Sequence, residues 1–107
     1  MDYITSRNQF DTAINSASIT LCIFSAAWCG PCKMLSPVID QYYSDCMENN
    51  ADITIIKVNV DEYSDIASEH NVSSIPCLML FRGGKCIADR VGFVSKAALS
   101  DWVTQYA

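Results

Sequence analysis

Residues 19–33 read ITLCIFSAAWCGPCK, a strand-like run followed by a pair of cysteines. The run from Ile19 to Ser25 is apolar and partly β-branched, which predicts a strand buried on both faces. Cys29 and Cys32 follow, separated by Gly30-Pro31, and these two residues favour a tight turn in which the two sulfurs can meet. The stretch therefore predicts a buried strand, a cysteine pair and the start of a helix.

Helical spacing of apolar residues continues after the cysteine pair and predicts a helix over residues 32–48. Its apolar positions are Leu35, Val38, Ile39, Tyr42, Tyr43 and Cys46. Before the first strand, Ser6 and Gln9 match a capping box and predict a helix over residues 6–16. Downstream, the patterns predict a strand over 53–60 and a short helix ending near Asn71. Cys77–Arg82 and Lys85–Val91 flank Gly83-Gly84 as an antiparallel hairpin, and a last helix begins near Ser95.

This alternation of strands and helices predicts an α/β fold, a three-layer α/β/α sandwich around a central mixed sheet. Parallel strands need crossover helices between them, whereas the hairpin adds antiparallel strands. The chain has 107 residues, near the commonest size of one globular unit. We therefore expect residues 1–107 to form a single domain.

Composition narrows the possible functions. A net charge of -5, with only seven Lys and Arg residues, argues against nucleic-acid binding, which depends on clustered cations. The first twenty residues lack the pattern of a secretory signal, and no window reaches membrane-spanning length. We therefore expect a cytoplasmic protein that does not bind membranes, in a compartment that keeps most of the six cysteines reduced. Cys22 and Cys46 are then expected to be buried small hydrophobes.

The cysteine pair carries the chemistry. Cys29 is placed where the unpaired N–H groups and the positive end of a helix stabilise a thiolate, the attacking species in disulfide exchange. Cys32, one turn later, is expected to be less exposed and to resolve the mixed disulfide. A metal site is disfavoured because His70, Cys77 and Cys86 supply no second ligand pair with suitable spacing.

The sequence resembles the thioredoxin family in four features. These are the segment from Trp28 to Lys33, Ser74-Ile75-Pro76, the Gly83-Gly84 hairpin and Gly92. The resemblance implies a thioredoxin fold with a five-stranded sheet and four flanking helices. It also implies a cis Ile75-Pro76 bond beside the dithiol.

The resemblance further assigns the site and its partners. Cys29 and Cys32 would be the catalytic pair, no cofactor or metal would be bound, and the protein would act as a monomer. Thioredoxin reductase would re-reduce it, and its targets would include peroxiredoxins, ribonucleotide reductase and methionine sulfoxide reductase. The supporting residues would be Trp28, Gly30, Pro31, Lys57 and Pro76, and the surface that docks a target segment would comprise Trp28, Ile75, Pro76 and Gly92.

The chain departs from the family pattern at a position where thioredoxins usually carry a buried Asp, five residues before the motif Trp. Ile23 stands there, whereas Lys57, which lies near that Asp in the family, is retained. An unpaired ammonium is costly in an apolar interior, so we expect Lys57 to reach water or a carbonyl, or to have a lowered pKa. Our hypothesis is that Cys32 is deprotonated through water or Lys57 and resolves more slowly. The alternative is that Ile23 only packs the core and the base never limits the rate.

Two further positions are unusual. Ser25 replaces a residue that is often aromatic in the family, and Cys77 directly follows Pro76. Burial of Cys77 in its strand is favoured over glutathionylation or an intermolecular disulfide.

Three functions fit these residues. The first is a protein-disulfide reductase. The second is a non-catalytic binding or assembly subunit with an incidental dithiol, and the third is a dedicated oxidase or isomerase. Pro31 favours the reductase, because family members of the third class tend to carry His at that position.

Overall fold

The structure, a computed structural model, describes residues 3–107. Within them, helices and strands follow one another as the patterns predict. In chain order the elements are α1 (Arg7–Ile14), β1 (Ile19–Ser25), α2 (Gly30–Glu48), β2 (Ile53–Asn59), α3 (Ser64–Glu69), β3 (Cys77–Arg82), β4 (Lys85–Val91) and α4 (Lys96–Thr104). The predicted bounds of β1, β3 and β4 are confirmed.

The sheet has the strand order β2-β1-β3-β4. β1 and β2 run parallel, with Ile23 opposite Lys57, while β3 runs antiparallel to both β1 and β4. The central mixed sheet is thus confirmed, and residues 3–107 also form four helices. The predicted number of strands is wrong, because the described residues form four strands rather than five.

The missing fifth strand is explained by the segment before α1. Tyr3 makes an isolated parallel bridge to Lys57, and the Ile4 amide donates to the Lys57 carbonyl at 2.9 Å. Ser6 then caps α1, its hydroxyl accepting a hydrogen bond from the Gln9 amide. Because the cap begins the helix so soon, pairing with β2 stops after one bridge among the described residues.

The two faces of the sheet carry separate cores. Successive residues of β1 point to opposite faces, so Leu21 and Ile23 join one apolar cluster while Cys22 and Phe24 join the other. The first cluster includes residues of α2 and α4, and the second includes residues of α1 and α3. These clusters give the three-layer arrangement that the sequence predicts.

The glycine pair forms the predicted hairpin turn between β3 and β4. Gly83 and Gly84 have φ of 60° and 83°, a region that favours glycine. Their amides donate to carbonyls of Ser16 and Ile14 at 2.9 and 2.8 Å, so the turn is held against the end of α1.

No helix within residues 3–107 combines the length and the apolar character needed to cross a membrane.

Candidate active site

The cysteine pair lies at the N-terminus of α2. Cys29 is the N-cap residue, and the helix begins at Gly30, with Pro31 in its first turn. Proline is tolerated there because an N–H at that position has no partner within the helix. The helix therefore starts two residues before the predicted start at Cys32, and the Gly30-Pro31 turn is itself helical.

Cys29 and Cys32 are joined by a disulfide bond, with Cα atoms 5.2 Å apart. The Cys32 amide donates to the Cys29 sulfur at 3.3 Å. This hydrogen bond takes the place of the side-chain oxygen that usually caps a helix. When the disulfide is open, the same amide and the positive end of α2 favour a negative charge on the Cys29 sulfur.

Exposure does not separate the two cysteines as the sequence reasoning expected. In the disulfide form Cys29 is 5% exposed and Cys32 is 7% exposed, so Cys32 is not the less exposed residue. A disulfide fixes both sulfurs against each other, which leaves them similarly covered. Trp28, Gly30 and Pro31 around them are exposed, so the disulfide lies directly beneath the surface.

The segment before β3 closes the site on the other side. The Ile75-Pro76 bond is cis, as the resemblance implies. The Cys29 sulfur lies 3.8 Å from the Ile75 carbonyl oxygen. Gly92 has a φ of 97° and its amide donates to the Pro76 carbonyl at 2.8 Å. The structure thus brings Ile75, Pro76 and Gly92 together beside the dithiol.

Among the residues that the structure describes, Trp28 is the most exposed large apolar side chain, at 68%. Its indole Nε1 donates to the Asp61 carboxylate at 2.7 Å. The sequence patterns gave no indication of this hydrogen bond, because the two residues lie 33 positions apart. Only the placement of the turn after β2 beside the dithiol brings the two side chains together.

Lys57 and Ser25 line a small cavity behind Cys32. The Lys57 ammonium lies 3.7 Å from Asp40 of α2, with side chains 11% and 60% exposed respectively. Lys57 therefore has a carboxylate partner that the sequence analysis did not name. Ser25 is buried, and its hydroxyl is 2.8 Å from that of Tyr3.

The remaining cysteines carry no disulfide. Cys22, Cys46 and Cys77 are buried, as expected, and Cys86 is exposed. Burial raises the pKa of the Cys22 thiol well above its usual value and that of Cys77 to about 11. Burial also raises the pKa of Cys46 and Cys86. The three buried thiols are therefore poor nucleophiles at neutral pH, whereas Cys86 is accessible to reagents in solvent.

The thioredoxin family model matches residues 2–105. The chain belongs to the thioredoxin family. Thioredoxins among its relatives include that of Mycoplasmoides gallisepticum, 35% identical over 94% of this chain and 97% of the relative. The thioredoxin of Alicyclobacillus acidocaldarius is 40% identical over 85% of this chain and 84% of the relative.

Solved structures of other proteins share this fold. The thioredoxin of Malassezia sympodialis has a TM-score of 0.85 and 34% identity, covering 96% of this chain and 87% of its own. A structure concerned with thiol resolution in yeast mitochondrial 1-Cys peroxiredoxin through the glutathione and thioredoxin systems has a TM-score of 0.82. It is 28% identical, with 96% of this chain and 92% of its own covered.

Family membership and the disulfide at the helix terminus together establish the activity. The chain is a thiol-disulfide oxidoreductase of the protein-disulfide reductase type. The alternative of a non-catalytic binding subunit finds no support in these comparisons.

Proposed function

We propose that the chain reduces disulfide bonds of other proteins, with Cys29 as the nucleophile and Cys32 as the resolving thiol. One observation carries this assignment of roles. The Cys29 sulfur accepts a hydrogen bond from the Cys32 amide at the N-terminus of α2, where a helix favours negative charge. Cys32, one turn into α2, already bonds to that sulfur.

The reaction follows from this geometry. The Cys29 thiolate attacks one sulfur of the target disulfide, and the other target sulfur leaves as a thiolate. Cys32, as a thiolate, then attacks the Cys29 sulfur of the mixed disulfide, and the bond to the target breaks. The target gains two electrons, while Cys29 and Cys32 become the disulfide that the structure contains.

The residues around the dithiol fit a surface for an extended target segment. Trp28 offers an exposed apolar ring, whereas Ile75 offers a carbonyl oxygen beside the Cys29 sulfur. Such a segment can add main-chain hydrogen bonds as a strand does. Gly92 has a left-handed backbone conformation, in which its amide donates a hydrogen bond to the Pro76 carbonyl. Gly30 and Pro31 form the turn that keeps the sulfurs within bonding distance.

The partners follow from the family. A flavin- and NADPH-dependent thioredoxin reductase would regenerate the dithiol, and the chain itself would carry no cofactor. The likeness to the yeast structure favours peroxiredoxins as targets, with ribonucleotide reductase and methionine sulfoxide reductase as further target classes. Four cysteines without a disulfide suit a reducing compartment such as the cytoplasm. The protein would act there as a monomer.

The test is a coupled assay with NADPH, thioredoxin reductase and insulin as the disulfide substrate. The wild-type chain should consume NADPH and reduce insulin. Replacing Cys29 by Ser should lower the rate by about a thousandfold or more, because it removes the nucleophile. Cys77→Ala is the matched control, a buried cysteine next to Pro76, and should stay within about twofold of wild type. Equal loss in both variants would contradict the assigned roles.

A further inference from the structure

A cavity of about 20 Å³ lies directly behind Cys32. A cavity of at least about 10–15 Å³ holds one water when two to four polar groups line it. Polar atoms here come from four residues besides Cys32, and the rest of the wall is apolar. The lining residues are Tyr3, Ile23, Ser25, Cys32, Leu35, Ser36, Ile39, Lys57 and Pro76. The cavity thus has the size and the polarity to connect Cys32 to Lys57 through one water.

Lys57 connects this cavity to the surface. Its side chain is 11% exposed, and its ammonium lies 3.7 Å from a carboxylate oxygen of Asp40, which is 60% exposed. The ring of Tyr3 also lies beneath the ammonium, 5.7 Å from it. A proton that reaches Lys57 therefore has a partly solvated acceptor within reach.

Other groups around the cavity do not offer a base. β1 contributes Ile23 and Ser25, and β3 is preceded by Pro76, so neither side supplies a carboxylate. The titratable groups in the wall are Tyr3, Cys32 and Lys57. Asp40, through Lys57, is then the carboxylate that the described contacts connect to this cavity.

We propose that Asp40 accepts the proton of Cys32 in the resolving step, through Lys57 and a water in this cavity, in place of a carboxylate at position 23. The inference rests on the proposed roles of Cys29 and Cys32. It assigns to Asp40 a positioning and proton-relay role through another residue, and it explains how a chain with Ile23 still ionises Cys32.

The protons and electrons balance as follows. Lys57 passes one of its protons to the Asp40 carboxylate and then takes a proton from the water, while the water takes the proton of the Cys32 thiol. Lys57 ends with its charge unchanged, and that charge favours the Cys32 thiolate. The thiolate attacks the Cys29 sulfur, the bond from Cys29 to the target breaks, and the target leaves as a thiolate. Asp40 then releases the proton to solvent.

The experiment separates the two chemical steps in the full-length, reduced protein. Dithiobis(nitrobenzoate) releases one coloured thiolate when Cys29 attacks it and a second when Cys32 resolves the mixed disulfide. Stopped-flow absorbance follows both phases across a range of pH. All variants carry Cys86→Ala, because Cys86 is an exposed thiol that would react with the reagent.

Asp40→Asn should slow the second phase about tenfold near neutral pH and move its pH midpoint upward, while leaving the first phase unchanged. Asp45→Asn is the matched control. Asp45 lies on the same helix and pairs with a lysine, Lys96, at 2.7 Å, but it does not line the cavity. It should alter neither phase.

A rescue variant tests the same path from the other side. Ile23→Asp in the Asp40→Asn background places a carboxylate opposite Lys57 in the strand register and should restore the second phase. If that variant does not fold, the comparison of Asp40→Asn with Asp45→Asn decides alone. A second phase that stays within twofold of the Asp45→Asn value at every pH would overturn the role of Asp40. Loss of the first phase in the parent protein would instead contradict the proposed function itself.

Discussion

Cys29 and Cys77 are almost equally covered, yet the structure gives them opposite chemistry. Cys29 is 5% exposed and Cys77 is 4% exposed. The Cys29 sulfur accepts a hydrogen bond from a helix N-terminal amide, whereas Cys77 lies in β3 among apolar side chains of the second cluster. Burial there raises the pKa of Cys77 to about 11.

The comparison shows that exposure alone does not select the reactive thiol. A thiolate needs donors and positive potential more than it needs solvent. The turn before α2 supplies both to Cys29, whereas a strand interior supplies neither to Cys77, because its own amides are used in the sheet. The site is therefore defined by where a helix begins.

The largest expected difference is the rate of alkylation. In the reduced protein at about pH 8, a thiol with an ordinary pKa is ionised to about one part in four, and one with a pKa of about 11 to about one in a thousand. Cys29 should therefore react with iodoacetamide at least about a hundredfold faster than Cys77. Peptide mapping of the label against time measures the ratio. Comparable rates would show that the helix terminus does not activate Cys29.

A smaller expected effect concerns burial in the second apolar cluster, which surrounds Cys77 and also lowers the pKa of a histidine. His70 packs against the rings of Phe10, Phe24 and Phe81, at centroid distances of 5.5, 6.4 and 5.2 Å. Burial lowers the pKa of His70, although the nearby charge of Glu69 opposes the shift. The same desolvation that keeps Cys77 protonated thus keeps His70 neutral.

The sign of the resulting pH dependence is fixed by this direction. His70 binds a proton less readily in the folded protein than in the unfolded chain. Its contribution to the free energy of unfolding is therefore fully present above the unfolded pKa of about 6.5. It falls as the pH falls from there through the lower folded value. Urea unfolding at a series of pH values, compared between wild type and His70→Phe, should show a shallower slope in the variant. If the free energy of unfolding changed equally steeply with pH in both proteins, His70 would not be desolvated in the folded state.

Elements with strong local signals could be predicted from the sequence. The apolar runs of β1 and β3, and the position of β4 after the Gly83-Gly84 turn, were recognisable, and the predicted bounds of these three strands match the structure. Ser6 and Ser95 were recognisable caps because a hydroxyl directly precedes each helical pattern, and both hydroxyls accept the expected hydrogen bonds.

Contacts between distant segments could not be predicted in the same way. The Asp40 carboxylate meets Lys57 only because α2 crosses the sheet beside β2, and Tyr3 meets Ser25 only because the N-terminal segment bridges to β2. The fifth strand was carried over from the resemblance rather than from a periodic pattern. The residues around the dithiol were found mainly through the family motif, whereas their partners depend on packing.

The central claim is that Cys29 attacks and Cys32 resolves, and a trapping measurement tests it most directly. Cys32→Ser removes the resolving thiol, so the mixed disulfide between Cys29 and a target should persist. We expect mass spectrometry of this variant, mixed with insulin, to find insulin cysteines linked to Cys29. Linkage to Cys77 or Cys86 instead, or release of insulin at the wild-type rate, would contradict the account.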